Sequence, residues 1–128
     1  MSTDPYSARV RVLFESPQHA GALDDALSVS IDDQGIRINL FASVDQGKLS
    51  ALRFLAWGCP HVIAAAEEFC AGFEDKPVSE LLEFSASDLM QSLCVPVQKS
   101  GRILVLEDAV RALGSVARAA SDPGIKED

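Results

Sequence analysis

The spacing of apolar and polar positions changes period along the chain. Between residues 27 and 57 the period is two. Leu27, Val29 and Ile31 alternate with Ser28, Ser30 and Asp32, the pattern of a half-buried strand. The turn sequence "DDQG" follows, after which Ile36, Ile38, Leu40, Ala42 and Val44 alternate with Arg37, Asn39, Phe41 and Ser43. A second turn, "DQG" at 45–47, leads into "KLSALRFLAW". Turns this short force neighbouring strands to run antiparallel, so the three segments predict a meander. The third segment is apolar on both faces, with Leu52, Phe54 and Ala56 on one and Leu55 and Trp57 on the other. One face is expected to pack on helices. The other reads either as an exposed apolar contact patch or as a second small layer of core under a loop.

On both sides of this stretch the period becomes helical. Ahead of it, Asp4 suits a helix cap and Pro5 a first helical position; Tyr6, Val10, Leu13 and Phe14 form one stripe, and Pro17 ends the helix. Pro60 opens a helix whose stripe is Val62, Ile63, Ala66, Phe69, Cys70 and Phe73. "PVSELLEF" and "SASDLMQSL" predict two short helices, the second capped by Ser85 or Ser87, and "CVPVQKSGR" predicts a loop. From about Ile103 a long helix turns Leu106, Ala109, Val110, Leu113, Val116, Ala117 and Ala120 inward. Strands first and helices after, without βαβ alternation, predict an α+β fold. The expectation is a three-stranded antiparallel meander with helices packed on one face, as a single domain over residues 1–121. Residues 122–128 read as a flexible acidic tail.

Composition changes this picture little and narrows the partners. A chain of 128 residues suits one domain with one core. A net charge of -8 argues against nucleic acid and against anionic membrane surfaces as partners. "MSTDPYSARVRVLFES" has no uninterrupted apolar stretch of the secretory kind, and no run is long enough to span a bilayer. Three cysteines without a CxxC pair fit a reducing compartment, so a cytoplasmic location is expected.

The candidate chemistry centres on "AWGCPHVIAAAEEFC". Cys70 falls on an apolar stripe and reads as core filler. Cys94, ahead of "VPV", reads as structural first and as a ligand second. Cys59 differs from both. It follows Gly58 and stands at the N-cap or just before it, where free N–H groups and the helix dipole favour an anion, the form in which sulfur binds metal or attacks. His61 is two residues further on; a helix turns about 200° over that interval, so the two side chains diverge unless Cys59 lies outside the helix. His19, in "SPQHAG", reads as a solvated loop residue. Two histidines and one well-placed cysteine do not make a four-ligand zinc site, and no GxSxG, GxGxxG or P-loop pattern is present. No catalytic constellation results, and the chain is not expected to be an enzyme.

With these residues in hand, the chain resembles the IscU/NifU-type iron–sulfur cluster scaffold family over nearly its whole length. "VRVLFESPQHAGAL" resembles the family's opening helix and "NPrNvG"-like loop. "SVDQGKLSALRFLAWGCPHVIAAAEEF" resembles its strand–"YGC"–helix centre, and "VPVQKSGRILVLEDAVRAL" its "PPVK…HC…LAEDAI" closing loop and helix. The resemblance implies a three-stranded sheet under helices, in agreement with the periodicity. It also implies a nascent 2Fe-2S cluster, or iron or zinc, held on three cysteines with an aspartate and a histidine nearby. Cys59 matches the central cysteine. The first cysteine position falls at Gln34, the aspartate at Ile36, and the histidine–cysteine pair within Ser100, Gly101 and Arg102. The ligand set is therefore degenerate, with Cys59 kept, His61 as its nearest helper, and Cys94 several residues upstream of the third position.

Three functions compete. The leading one is an iron–sulfur assembly protein of scaffold type, with a cysteine desulfurase and other assembly proteins as partners. In it Cys59 accepts sulfur or takes part in weak metal binding, or two chains in a homo-oligomer share a cluster through Cys59 and His61. The second is a partner-binding or regulatory module that uses Leu55 and Trp57 and binds no cluster. The third is a thiol enzyme with His61 as base, for which no residue orienting the histidine is evident.

Overall fold

The computed structural model of the chain describes residues 7–93, 95–96 and 100–121, the side chains of Ala120 and Ser121 excepted. Helix α1 spans Ala8–Glu15; strands β1 (Leu27–Asp33), β2 (Ile36–Asp45) and β3 (Lys48–Trp57) follow. Then come α2 (Pro60–Phe73), a 3-10 helix at Val78–Glu83, α3 (Ser87–Ser92) and α4 (Ser100–Ser121).

The strands form one antiparallel sheet in the order β1-β2-β3, as the period-two pattern requires. Both hairpins use a two-residue loop, Gln34-Gly35 and Gln46-Gly47, with all four φ values between 53° and 78°. Two consecutive positive φ values give the loop a twist that matches the strands; glycine takes the second at no steric cost, while Gln34 and Gln46 hold a conformation uncommon for a residue with a side chain. The register places Leu40 between Val29 and Phe54, and Ala42 between Leu27 and Leu52, so one face is uniformly apolar. On that face α4 lies across β1 and β2 while α2 lies along β3, with Ile38, Leu40, Ala42 and Leu52 fully buried beneath them. Helix α1 packs on the far side of α2, and the 3-10 helix packs on α4, where Gly114 lets Leu81 approach closely.

The outer edge of β3 is covered. The Phe54 N–H donates to the His19 carbonyl (3.0 Å) and the Gly21 N–H to the Phe54 carbonyl (2.8 Å). Further down the strand, the Leu49 N–H donates to the Lys76 carbonyl (2.9 Å) and the Asp75 N–H to the Leu49 carbonyl (2.6 Å). A capped edge offers no row of free backbone groups to another chain.

Several helix ends differ from the sequence expectations. Ser7 caps α1, its hydroxyl accepting from the Val10 N–H and donating to the Leu93 carbonyl; Asp4, Pro5 and Tyr6 lie outside the described residues. Phe14 is 41% exposed rather than buried with the stripe, and lines a surface cleft with Val10 and Pro60. The N-cap position of α3 is Ala86, whose N–H donates to the Glu107 carboxylate of α4 (2.8 Å), while the Ser85 hydroxyl accepts from the Ser87 N–H (3.3 Å) from one residue further out. Helix α4 begins at Ser100, ahead of the expected Ile103, and Val116 is exposed. Residues 1–6 and 122–128, including the tail, are outside the described set.

Candidate functional site

Three segments meet at one end of the sheet. The β1–β2 turn brings Gln34 beside the first turn of α4: a Cβ on Gly101 would lie 3.3 Å from Gln34 Oε1. Two residues on, the Ile36 side chain lies directly over Gly58, filling the space a side chain at 58 would occupy. Gly58 leads straight into Cys59 and α2. The positions that the family resemblance assigns to ligands, Gln34, Ile36, Cys59 and the Ser100–Arg102 stretch, thus come together in space although they are spread over 69 residues.

Cys59 is the N-cap of α2, with extended backbone (φ -84°, ψ 162°) and Pro60 in the first turn. Its carbonyl accepts from the Val62 and Ile63 N–H groups, while its side chain forms no capping hydrogen bond. The sulfur is therefore half-buried and not committed to the helix. His61 is 1% exposed, turned into the protein, whereas Cys59 stays at the surface of the mouth. Trp57 and Leu55 project from the open face of the sheet, Trp57 at 51% exposure and Leu55 half-buried. Arg37, opposite Trp57 in the register, holds its guanidinium 5.9 Å from the indole centroid and pairs with Asp32 at 3.1 Å. Cys94 lies outside the described residues.

A second polar cluster lies on the outer side of α2, and it corrects the reading of His19 as a solvated loop residue. The His19 ring bridges two carboxylates, one on α2 and one at its C-cap: Nδ1 to Glu67 Oε2 at 2.6 Å and Nε2 to Glu74 Oε1 at 3.1 Å. Its backbone N–H donates to Glu67 Oε1 (2.7 Å), and Glu74 also accepts from the Leu52 N–H (2.8 Å) and from Arg53 (2.9 Å). Partial burial pulls the His19 pKa down, but the hydrogen bonds and charges of Glu67 and Glu74 outweigh it and leave it above the ordinary value. Glu74 is pushed up by partial burial, yet the Leu52 amide, His19 and Arg53 bring it below its usual range. Cys70, between the two glutamates on the helix, is fully buried, and burial followed by the two negative charges pushes its thiol well up. It is core filler, as its place on the stripe predicts. The signal for this cluster was present in the sequence: Glu67 and Glu74, seven residues apart, fall on the apolar face of α2 and at its C-cap, and a carboxylate on such a face needs a partner.

The profile of the NifU-like N terminal domain matches residues 5–118. The chain belongs to that family. Among curated relatives, the iron–sulfur cluster assembly protein IscU of Plasmodium falciparum is 27% identical over 112 residues, covering 83% of this chain and 69% of that protein. The fold is shared with a candidate iron–sulfur cluster assembly scaffold protein for the SUF system from Fervidobacterium islandicum AW-1. That pair has a TM-score of 0.63 and 13% identity, covering 88% of this chain and 95% of the other. A nitrogen-fixing NifU-like N-terminal structure from Brucella abortus gives a TM-score of 0.57 at 14% identity, over 90% and 82% of the two chains.

In this NifU-like domain the positions that the resemblance assigns to ligands lie near one another but carry other side chains. Clusters and zinc ask for about four thiolate or imidazole donors. Around Cys59 stand a neutral amide (Gln34), a hydrocarbon (Ile36) and a glycine (Gly101). Among the described residues no group of three or more histidine, cysteine, aspartate or glutamate side chains is arranged to hold a metal ion. The described residues at this mouth do not fit a cluster or a metal ion bound by one chain alone.

Proposed function

We propose that this chain serves iron–sulfur cluster assembly as a NifU/IscU-type scaffold with a degenerate ligand set, presenting Cys59 as its sulfur contact. The observation that carries the reading is the meeting of the β1–β2 turn, Cys59 and the start of α4 at one end of the sheet. A family site whose geometry persists after its ligands are replaced is still a place for cargo to be handed over. The sulfur of Cys59 takes part in that handover together with donors supplied by an assembly partner, a cysteine desulfurase by family role, or by a second copy of the chain. A reducing cytoplasm keeps that sulfur a thiol. The chain runs no reaction of its own.

Anaerobic reconstitution with ferrous iron and sulfide tests this. The single chain is expected to stay colourless, and colour is expected only with a partner or in an oligomer, vanishing in Cys59→Ser. Stable cluster absorbance on the isolated monomer, or colour that survives Cys59→Ser, rejects the reading.

A second reading rests on the 51% exposure of Trp57 beside this mouth. In it the domain is a docking module that retains the partner surface of Leu55 and Trp57 without handling the cluster. Partner binding then survives Cys59→Ser and weakens in Trp57→Ala; the opposite pattern eliminates it.

A further inference from the structure

We propose that His19, set between Glu67 and Glu74, is a proton-operated clasp that fastens the Pro17–Gly21 segment over the edge of β3 and releases it when the ring loses its proton. An ionised carboxylate only accepts hydrogen bonds, and a neutral imidazole donates from one nitrogen only. Both nitrogens of His19 face carboxylate oxygens, at 2.6 and 3.1 Å. The arrangement is satisfied when both nitrogens carry hydrogen, in the imidazolium form. A neutral ring leaves one lone pair pointing at a carboxylate oxygen, which is repulsive.

Charge balance points the same way. The ring faces Glu67 of α2 and Glu74 at the C-cap of that helix; Arg53 of β3 bonds Glu74, and Cys70 of α2 is buried beside the two carboxylates. The Arg9–Glu68 pair joins α1 to the next residue of α2 and does not touch the ring. With the imidazolium present, two negative charges meet two positive ones. Without it, Glu74 keeps Arg53 and the Leu52 amide, while Glu67, 3% exposed, keeps among the described residues only the His19 amide. A buried carboxylate without a counter-charge is costly, and the cheapest relief is to let the segment carrying His19 move away and admit water.

What would open is defined by the hydrogen bonds. His19 and Gly21 pair with Phe54 through two backbone bonds, and Ala20 forms a parallel bridge to the same residue. Release therefore frees the backbone of Phe54 on β3, three residues before Trp57, and exposes an edge able to accept another strand. The clasp and the Cys59 mouth share two elements, β3 and α2, but no side chain.

Amide hydrogen exchange on the whole chain tests the clasp. Between about pH 6 and about pH 8.5, the Gly21 and Phe54 amides should lose protection, after correction for intrinsic chemistry, by roughly tenfold for each unit by which the folded ring's pKa exceeds its ordinary value. Amides of the central strand β2 should keep theirs. In His19→Asn, which does not titrate in this range, protection of Gly21 should not depend on pH; a pH dependence equal to that of the unaltered chain overturns the proposal. Should that variant not fold, the His19 ring is titrated by NMR in the unaltered chain. A midpoint above 6.5 supports the clasp, and a midpoint at or below 6.5 overturns it.

Discussion

Ile36 lies over Gly58 so closely that a methyl group on residue 58 would overlap its Cδ1. The two residues close the floor of the Cys59 mouth with hydrocarbon, at the position where the family resemblance places a carboxylate. Gly58 also has a φ of 159°, so Gly58→Ala meets both a steric and a backbone obstacle. The expected cost is about 2–4 kcal/mol, the sum of overpacking and an unfavourable φ. Adding Ile36→Ala removes the clash, so the double variant should recover part of the loss that simple addition of the two single effects would predict. Urea denaturation of the four proteins measures the coupling. Additive effects would mean that the contact is relieved some other way.

Cys59 and Cys70 should differ sharply toward an alkylating agent. Cys59 is half-buried with a sulfur free of capping bonds, whereas Cys70 is fully buried and its thiol is pushed up. Peptide mass mapping of folded protein treated with iodoacetamide should find Cys59 modified in minutes and Cys70 only in denaturant. Modification of Cys70 in the folded protein at a comparable rate would contradict the packing of α2.

Stability should pass through a maximum in mildly acidic solution. The pKa of His19 is raised on folding, so its contribution is complete below its ordinary 6.5 and is lost as the pH climbs through the folded value. That of Glu74 is lowered, so its contribution is present above its ordinary 4.5 and is lost as the pH falls through the folded value. Both contributions are present together between 4.5 and 6.5. Glu74→Gln should flatten the acid limb and cost on the order of 1–2 kcal/mol at neutral pH, since an exposed side of this network is screened by water. Urea midpoints measured from about pH 4 to about pH 9 give the profile. A maximum at alkaline pH would show that these two groups do not govern it.

Trp57 should matter for contact and little for folding. Half of it is exposed, and the Arg37 guanidinium lies over the ring. Trp57→Ala is expected to shift stability by about 0.5 kcal/mol or less, in keeping with a surface site and a weak cation–π contact. As the chain's one tryptophan, it reports directly by fluorescence. Binding of an assembly partner at the open face should change the emission maximum, and an unchanged spectrum in a saturated complex would place the partner elsewhere.

The three strands, their turns and the helix opened by Pro60 were legible in the sequence because each depends on local order: a period of two, aspartate and glycine in the short turn sequences, a proline at a helix start. The role of Cys59 as N-cap followed from the same local chemistry. Tertiary structure decided what no short window contains. Glu107 takes the Ala86 N–H at the start of α3, the β1–β2 turn meets the start of α4, and Ile36 seals Gly58. His19 stands between two carboxylates 48 and 55 residues away, so its charge and its hold on β3 are set by partners that only folding brings near. Periodicity shows which side of an element is buried; only the packing of distant segments determines what each buried or half-buried polar group will face.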